Sequence, residues 1–339
     1  QAGREARLWM RSEDAADDVR LNRRNSRYLG DLALPESLRA TTDFEEACDV
    51  DVVLLVTPSV TVRDMARRLA RHLAPGVPVF LCAKGIEAGS GLLLAEIVVE
   101  EMPETSVGVL SGPTFATEVA AGHPTAVTVA SRIEAGREAE APATRLAVTL
   151  RTEAFRPYVS DDVVGVEIGG AVKNVVAIAC GMMTGAGYAE NTRAALISRG
   201  MDEMKRLAEA LGGKRETVTG LSGAGDLTLT CSSTSSRNMS LGVQLGAGTP
   251  RDECFDGRPV VVEGERNAIS VTDLARRKGV EMPIAEAVRR ILHEGAEIGA
   301  TFAELWSRPI EAEPKALDLL IAGPAGTAAL LAASAGGAE

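Results

Sequence analysis

Residues 162–183 read Asp162-Val-Val-Gly-Val-Glu-Ile-Gly-Gly-Ala-Val-Lys173-Asn-Val-Val-Ala-Ile-Ala-Cys-Gly-Met-Met183. Nearly every side chain in this stretch is apolar or small, and an aspartate stands at its start, so the pattern predicts a helix buried on all sides. Lys173 lies near its middle. A lysine most often keeps its ammonium group in solvent, whereas a buried ammonium group has a lowered pKa and can carry a proton near neutral pH. Gly169 and Gly170 would let a ligand or another backbone approach closely.

The composition limits the class of protein. The 339 residues suit about two domains, and 45% of them are hydrophobic, enough for a sizeable core. The formal net charge of -11 disfavours nucleic-acid binding through a basic surface. The five cysteines are scattered along the chain, a pattern that indicates free thiols in a reducing cytosol. The three histidines lie too far apart in sequence to indicate a metal site. No run of about 18 apolar residues is found, so we expect a cytoplasmic protein without a transmembrane segment.

The first 161 residues alternate between strand and helix patterns. Residues 51–58 carry an apolar strand pattern of the kind buried in parallel sheets, and residues 133–149 carry a helix pattern. This alternation predicts an α/β domain with a doubly wound parallel sheet. Such sheets bind ligands beyond the carboxyl ends of their strands, where Lys84 and the Ser111-Gly112 pair are predicted to lie.

The pattern changes after residue 161. No convincing strand pattern follows, and helices are predicted over the ranges 162–183, 191–211, 236–247, 265–278 and 283–293. We therefore expect an all-α second domain at residues 162–312. The alanine-rich residues 313–339 are expected to form a mobile tail.

Two polar stretches in the second domain could bind a phosphate. Residues 221–226 are rich in glycine and end in an acid, and residues 230–238 combine hydroxyl side chains with Arg237 and Asn238 ahead of a helix pattern. Backbone N–H groups at a helix N-terminus, hydroxyl groups and an arginine together suit a phosphate. An ordinary polar loop that caps a helix has the same composition, so both interpretations stay open.

Six motifs occur in order along the chain: Lys84-Gly-Ile-Glu87, Ser111-Gly-Pro-Thr-Phe-Ala116, Gly169-Gly-Ala-Val-Lys-Asn-Val-Val-Ala-Ile-Ala-Cys-Gly181, Gly220-Leu-Ser-Gly-Ala-Gly-Asp-Leu-Thr-Leu-Thr-Cys231, Ser236-Arg-Asn238 and Val261-Val-Glu-Gly264. The set closely resembles the NAD(P)-dependent glycerol-3-phosphate dehydrogenase family, most similar to its bacterial form, from about residue 4 to about residue 312. The resemblance implies a Rossmann-like domain at residues 1–161 followed by an α-helical substrate domain. It also implies reversible NAD(P)H-dependent reduction of dihydroxyacetone phosphate to sn-glycerol 3-phosphate, which a bacterium uses in glycerophospholipid synthesis.

The resemblance assigns roles to single residues. Lys173 matches the catalytic lysine, which handles the proton on the C2 oxygen while the nicotinamide moves a hydride. The positions that match substrate contacts are Lys84, Gly112, Thr114, Lys173, Asp226, Ser236, Arg237 and Asn238. The positions that match cofactor contacts are Arg11, Lys84, Ala116, Arg237, Val261 and Glu263. No metal is implied, and a homodimer stays open as the assembly.

Arg11 bears on the choice of cofactor. The strand at residues 5–10 is expected to end near the cofactor's ribose, where an acid suits the hydroxyls of NAD and an arginine suits the 2′-phosphate of NADP. Arg11 therefore favours NADPH, with NADH left open. A solvated arginine without a ligand is the alternative interpretation.

The start of the chain departs from the family pattern. The family begins with a strand, a Gly-x-Gly-x-x-Gly turn and a helix, and the first residues here match the end of that helix. We expect the first strand and the pyrophosphate turn to be missing, either because the sequence is a fragment of an ordinary enzyme or because the chain is complete and catalytically crippled. Weak or no cofactor binding is expected. The rival functions are a hydroxy-acid or sugar-acid dehydrogenase of the same architecture and a non-catalytic protein that binds a phosphorylated metabolite.

Overall fold

The computed structural model describes residues 2–308, 310–311 and 320–321, and its first part is an α/β domain. The strands of this domain are β1 (Ala6–Trp9), β2 (Leu38–Thr41), β3 (Val53–Leu55), β4 (Val79–Leu81), β5 (Val107–Ser111), β6 (Thr125–Ser131) and β7 (Phe155–Ser160). Its helices are α1 (Glu13–Asn22), α2 (Ser26–Leu29), α3 (Phe44–Cys48), α4 (Val62–His72), α5 (Leu94–Glu101), α6 (Ala116–Ala120) and α7 (Pro142–Leu150). The predicted alternation of strands and helices is confirmed.

The strands form two sheets rather than the one parallel sheet that the sequence predicts. β1 pairs with β2 in parallel, and the second sheet has the order β3-β4-β5-β6-β7. Within it β6 runs antiparallel to β5, with Gly108 opposite Ser131, while the other neighbours are parallel. Antiparallel neighbours need only a short connection, whereas parallel strands need a longer crossover, usually through a helix. The connection here holds only the five-residue α6, so the expectation of a wholly parallel sheet was wrong at this pair, while the Rossmann-like class is confirmed.

Helix α4 shows how the sequence fixes the packing of the α/β domain. Val62, Met65, Ala66 and Leu69 are its buried residues, and this spacing puts them on one face of the helix. They join an apolar cluster that includes residues of β3, β4, β5 and α5. This cluster anchors the strands whose carboxyl ends lead into the candidate site.

Helix α7 begins later than the sequence predicts. The chain from residue 133 to Ala141 is a loop, and the helix starts at Pro142. Gly136 has a φ of 81°, a left-handed conformation that an α-helix excludes. Proline suits the first helical turn, where its missing N–H has no intrahelical partner to lose. The predicted helix over residues 133–149 was therefore wrong in its first part.

The second part of the chain is helical, as predicted. Its helices are α8 (Val163–Gly185), α9 (Glu190–Ala210), α10 (Arg215–Val218), α11 (Asp226–Ser232), α12 (Arg237–Gly246), α13 (Glu263–Arg277), α14 (Pro283–His293) and α15 (Ile298–Trp306). Every residue of α8 from 165 to 183 is buried, which confirms the prediction of a helix covered on all sides. The core around α8 contains residues of α9, α11, α12, α13 and α14.

In the second part of the chain, three helices, a π-helical turn and two short strands were not predicted. Helices α10, α11 and α15 occupy stretches without a clear apolar period, and a π-helical turn spans Leu221–Gly225. Two-residue strands β8 (Ile310–Glu311) and β9 (Leu320–Ile321) pair antiparallel. β8 lies inside the range expected to be all-α. Apart from β9, the tail expected over residues 313–339 lies outside the described residues.

Glycines bring α8 and α12 into direct backbone contact. A Cβ added at Gly181 of α8 would lie 2.3 Å from the carbonyl oxygen of Met239, and one at Gly242 of α12 would lie 2.2 Å from that of Ile178. Gly185 and Gly246 continue the same contact one turn further along. Since no side chain separates the two backbones, their spacing depends on the absence of a Cβ at these four positions.

Helix α8 is long and apolar enough to cross a membrane by length and composition alone. Its most apolar 18 residues have a mean hydropathy of 1.7, and 89% of them are buried inside the protein. The prediction of no such run differs from this finding because Glu167 and Lys173 interrupt the apolar stretch in the sequence. Burial against neighbouring helices accounts for the apolar composition, because a core helix needs apolar side chains on every face.

Candidate active site

Two lysines from different domains meet at one aspartate. Lys84 follows β4, Lys173 lies in α8, and Asp226 is the first residue of α11. Lys173 Nζ lies 2.7 Å from Asp226 Oδ1, and Lys84 Nζ lies 2.5 Å from Asp226 Oδ2. Lys173 and Asp226 are only 6% and 2% exposed. The snorkelling interpretation of Lys173 is therefore wrong, because its ammonium group points into the protein.

The three charges shift one another's protonation. Burial lowers the pKa of Lys173 to about 8, the charge of Lys84 adds to that effect, and Asp226 opposes it. Burial would raise the pKa of Asp226, but the two ammonium groups outweigh it and hold that pKa below its usual range. The cluster thus holds an ionised carboxylate beside a lysine that can gain or lose a proton near neutral pH.

Thr230 is a further member of the cluster that the sequence reasoning missed. Lys173 Nζ donates to Thr230 Oγ1 at 2.8 Å, and this hydroxyl donates to the backbone oxygen of Asp226 at 2.6 Å. The four-residue spacing of Asp226 and Thr230 places both on one face of a helix, and that spacing is the signal that could have identified it.

Two predicted close approaches occur at the start of α8. A Cβ at Gly169 would lie 2.8 Å from the carbonyl oxygen of Ser222, in the glycine-rich stretch before Asp226. A Cβ at Gly170 would lie 3.1 Å from the side chain of Lys84. Glycine at these positions lets the stretch before α11 and the Lys84 side chain lie against α8, which brings both partners within reach of Lys173.

A chain of amides leads from α8 to the predicted phosphate loop. Ser236 caps the N-terminus of α12, where its hydroxyl accepts the N–H of Met239 at 3.3 Å. Asn238 Nδ2 donates to Asn174 Oδ1 at 2.9 Å, and Asn174 Nδ2 donates to Glu263 Oε2 at 3.2 Å. Asn174 was not singled out from the sequence, and it joins one predicted substrate contact to one predicted cofactor contact.

The remaining predicted residues are distributed around this cluster. Gly112 is buried directly after β5, and a Cβ added to it would lie 2.9 Å from the Cα of Val127. Thr114 Oγ1 donates to the carbonyl oxygen of Gly112 at 3.3 Å. The exposed members of the predicted set are Arg11, Ala116, Arg237 and Val261. Within the described residues, no hydrogen bond or ion pair joins these four to the two lysines or to Asp226.

The carboxyl edge of the second sheet fits a nicotinamide dinucleotide. Thr57 follows β3, and its Oγ1 is buried without a hydrogen-bond partner among the described residues. The nearby Val56 and Val60 are 71% and 59% exposed. A hydroxyl that lacks a partner, beside exposed apolar side chains, suits a ring that carries polar groups. Ligands of such sheets lie at this edge.

A Rossmann-like domain that meets a helical domain at two lysines on one buried aspartate defines the class of two-domain, dinucleotide-dependent dehydrogenases. Family profiles narrow the class: those for the N-terminus and C-terminus of NAD-dependent glycerol-3-phosphate dehydrogenase match residues 1–136 and 162–303. The chain belongs to this family.

Individual relatives agree with the family profiles. A protein from Parvibaculum lavamentivorans named glycerol-3-phosphate dehydrogenase (NAD(P)+) is 47% identical over 312 residues, which cover 92% of each chain. A protein of the same name from Novosphingobium aromaticivorans is 47% identical over 311 residues, again 92% of each chain. The crystal structure of glycerol-3-phosphate dehydrogenase from Coxiella burnetii matches with a TM-score of 0.82 at 39% identity, over 89% of this chain and 91% of that one. The resemblance found in the sequence motifs is confirmed.

Proposed function

We propose that this protein catalyses the reversible NAD(P)H-dependent reduction of dihydroxyacetone phosphate to sn-glycerol 3-phosphate. The observation that carries the proposal is the pair of lysines on one buried aspartate, Lys84 and Lys173 on Asp226. This cluster has a net positive charge, which suits an oxygen that becomes negative during reduction. The relatives carry the name glycerol-3-phosphate dehydrogenase (NAD(P)+), which supports the proposal.

Lys173 is the proton carrier in this proposal. A nicotinamide cofactor, when bound, would supply the hydride to C2 of the substrate. Lys173 gives its proton to the C2 oxygen, so that the ketone becomes an alcohol. Thr230 and Asp226 fix the position of the Lys173 ammonium group through bonds of 2.8 and 2.7 Å. Lys84 contacts the substrate from the other side of Asp226. In the reverse direction neutral Lys173 takes the proton back.

The phosphate group of the substrate would bind at the N-terminus of α12. Ser236, Arg237 and Asn238 surround that helix end, where backbone N–H groups and the helix dipole favour an anion. Arg237 is exposed, so its guanidinium group can reach a ligand from solvent. Gly112 and Thr114 would complete the substrate contacts from the end of β5.

The cofactor would lie along the sheet edge against Arg11, Lys84, Ala116, Arg237, Val261 and Glu263. Arg11 favours NADPH, with NADH as the second cofactor. We propose that residues 1–161 form the cofactor-binding domain and residues 162–312 the substrate-binding domain. The cluster of Lys84, Lys173 and Asp226 lies where the two domains meet. We further propose a cytoplasmic protein, with a homodimer as its assembly and glycerophospholipid synthesis as its role.

The test is turnover of dihydroxyacetone phosphate with NADPH and with NADH, beside a panel of 2-hydroxy, 3-hydroxy and sugar acids. We expect a preference for the phosphorylated ketone, and a loss of about 100-fold to 10,000-fold in kcat for Lys173→Met. A preference for the acids would favour the rival dehydrogenase. Full activity of the Lys173→Met protein would refute the proposed proton carrier.

The affinity for NADPH needs its own measurement. The 339-residue chain is compared with the same chain extended at its N-terminus by a strand, a Gly-x-Gly-x-x-Gly turn and a helix. We expect tighter NADPH binding in the extended chain, because the turn supplies N–H groups to the pyrophosphate. No turnover in either form would support the non-catalytic alternative. Whichever form turns over is the background for the variants below.

A further inference from the structure

Two buried glutamates cap helices other than their own. Glu167 of α8 accepts the N–H of Ala95 at 3.0 Å with Oε1. Glu203 of α9 accepts the N–H groups of Ile284 and Ala285 at 2.6 and 3.2 Å with its two oxygens. The two glutamates are 6% and 1% exposed. Each therefore satisfies N–H groups in the first turn of a helix that lack an intrahelical partner.

The two caps differ in what they join. Ala95 lies in the first turn of α5, in the α/β domain, so the bond from Glu167 crosses from one domain to the other. The bonds from Glu203 run from α9 to α14 and stay within the helical domain. Glu203 is thus a matched control, with the same chemistry at bonds that join neither of the segments that carry Lys84 and Lys173.

The setting of Glu167 suits a neutral acid. Burial raises the pKa of Glu167 to about 8. The N–H groups of Ala95 and Leu94 in the first turn of α5 oppose this effect, and the charge of Glu96 in that same turn adds to it. Glu96 itself accepts the N–H of Leu93 at 2.7 Å. A glutamine at position 167 would keep the oxygen that accepts the Ala95 N–H, and an apolar side chain would remove it.

The hydrogen bond between the Ala95 N–H and Glu167 joins two segments that each carry one of the lysines nearby in sequence. Glu167 is about 1.7 helical turns ahead of Lys173 on the rigid α8, and the segment that carries Lys84 runs directly into α5. Glu167 Oε1 therefore ties the helix of one lysine to the segment of the other. We propose that Glu167 is a positioning residue that sets the distance between the two ammonium groups on Asp226. This role rests on the proposed function.

Four variants test the role: Glu167→Gln, Glu167→Met, Glu203→Gln and Glu203→Met. We expect Glu167→Met to lower kcat by about tenfold or more, because a small displacement of the lysines affects the transition state. KM for dihydroxyacetone phosphate should stay within about twofold of the wild-type value, because the proposed phosphate site lies on α12, which the substitution does not touch. Glu167→Gln should retain kcat. Glu203→Met should lower Tm by as much as Glu167→Met without lowering kcat.

Two further readouts do not depend on turnover. Hydrogen exchange at the Ala95 amide should be faster in Glu167→Met and unchanged in Glu167→Gln. NMR of the labelled Lys173 ammonium group gives the second readout, and the pKa of Lys173 should change only in Glu167→Met. Equal kcat in Glu167→Met and wild type, or an equal loss of kcat in Glu203→Met, would overturn the positioning role. If wild type fails to reduce dihydroxyacetone phosphate, the proposed function fails, whereas an unchanged Lys173 pKa in Glu167→Met contradicts the positioning role by itself.

Discussion

The glycine contact between α8 and α12 predicts a measurable effect of one methyl group. Gly242→Ala adds a Cβ at 2.2 Å from the carbonyl oxygen of Ile178, and the nearest other atoms, at 2.8 Å, are also backbone atoms of α8. Ordinary contacts lie at about 3.5 Å, so α12 must move by about 1 Å. Overpacking of this kind costs about 1–3 kcal/mol of stability.

The same displacement reaches the proposed phosphate site, because α12 carries Ser236, Arg237 and Asn238 at its N-terminus. A misplacement of about 1 Å can cost up to about 100-fold in rate. We expect kcat/KM for dihydroxyacetone phosphate to fall by about 10-fold to 100-fold in Gly242→Ala, mainly through KM, as measured by steady-state kinetics beside urea unfolding.

Gly299→Ala is the matched control for this substitution. Gly299 also lies in a helix, but its nearest neighbours are the carboxylate oxygens of Glu297 at 3.3 Å, at the end of a flexible side chain. We expect wild-type KM and nearly wild-type stability for Gly299→Ala. Unchanged KM and stability in Gly242→Ala would refute the role given to the glycine contact, and equal damage from Gly299→Ala would show that the effect is not specific to it.

Three further predictions concern the cluster and the start of α8. Reduction needs protonated Lys173, so kcat for the ketone should fall as the pH rises through about 8, and kcat for the alcohol should rise over the same range; profiles with the same sign in both directions would contradict the assignment. Thr230→Val removes an acceptor from the Lys173 ammonium group and should lower kcat by about tenfold, while Thr230→Ser should retain it; equal kcat in the two variants would exclude the hydrogen bond as the cause. Asp162→Ala removes hydrogen bonds of 2.8 Å from the N–H groups of Gly165 and Lys214. Urea unfolding should show that the free energy of unfolding falls by about 2 kcal/mol, while KM is unchanged. A fall of less than about 0.5 kcal/mol would contradict the capping role.

Much of the architecture could be predicted because the apolar patterns are strong. The buried α8 and the placement of Lys173 in it follow from one apolar run with a single lysine. The loop before α7 was missed although Gly136 and Pro142 both signal it. The reversal of β6 depends on how a short connection packs, which no local pattern displays.

Within the site, the limits of prediction follow from distance along the chain. Motifs indicated Lys84, Lys173 and Asp226, but their direct contact depends on the packing of α8 against α11 and the sheet. Thr230 and Asn174 gain their partners across 57 and 64 residues of sequence. Hydrogen bonds of that span are set by tertiary packing, and a single sequence does not specify them.

The position of α8 in the chain has a consequence for biosynthesis. Helices α9 to α14, which cover it, are all encoded after it, and α14 ends at His293. At about 5–20 residues per second, the roughly 110 residues from the end of α8 to His293 take about 5–20 s to synthesise. Throughout that interval a nascent chain presents 23 mostly apolar residues with no finished core to receive them. Until those helices have been synthesised, the nascent chain carries an exposed segment with the length and composition of a membrane span, and its burial depends on completing the later helices.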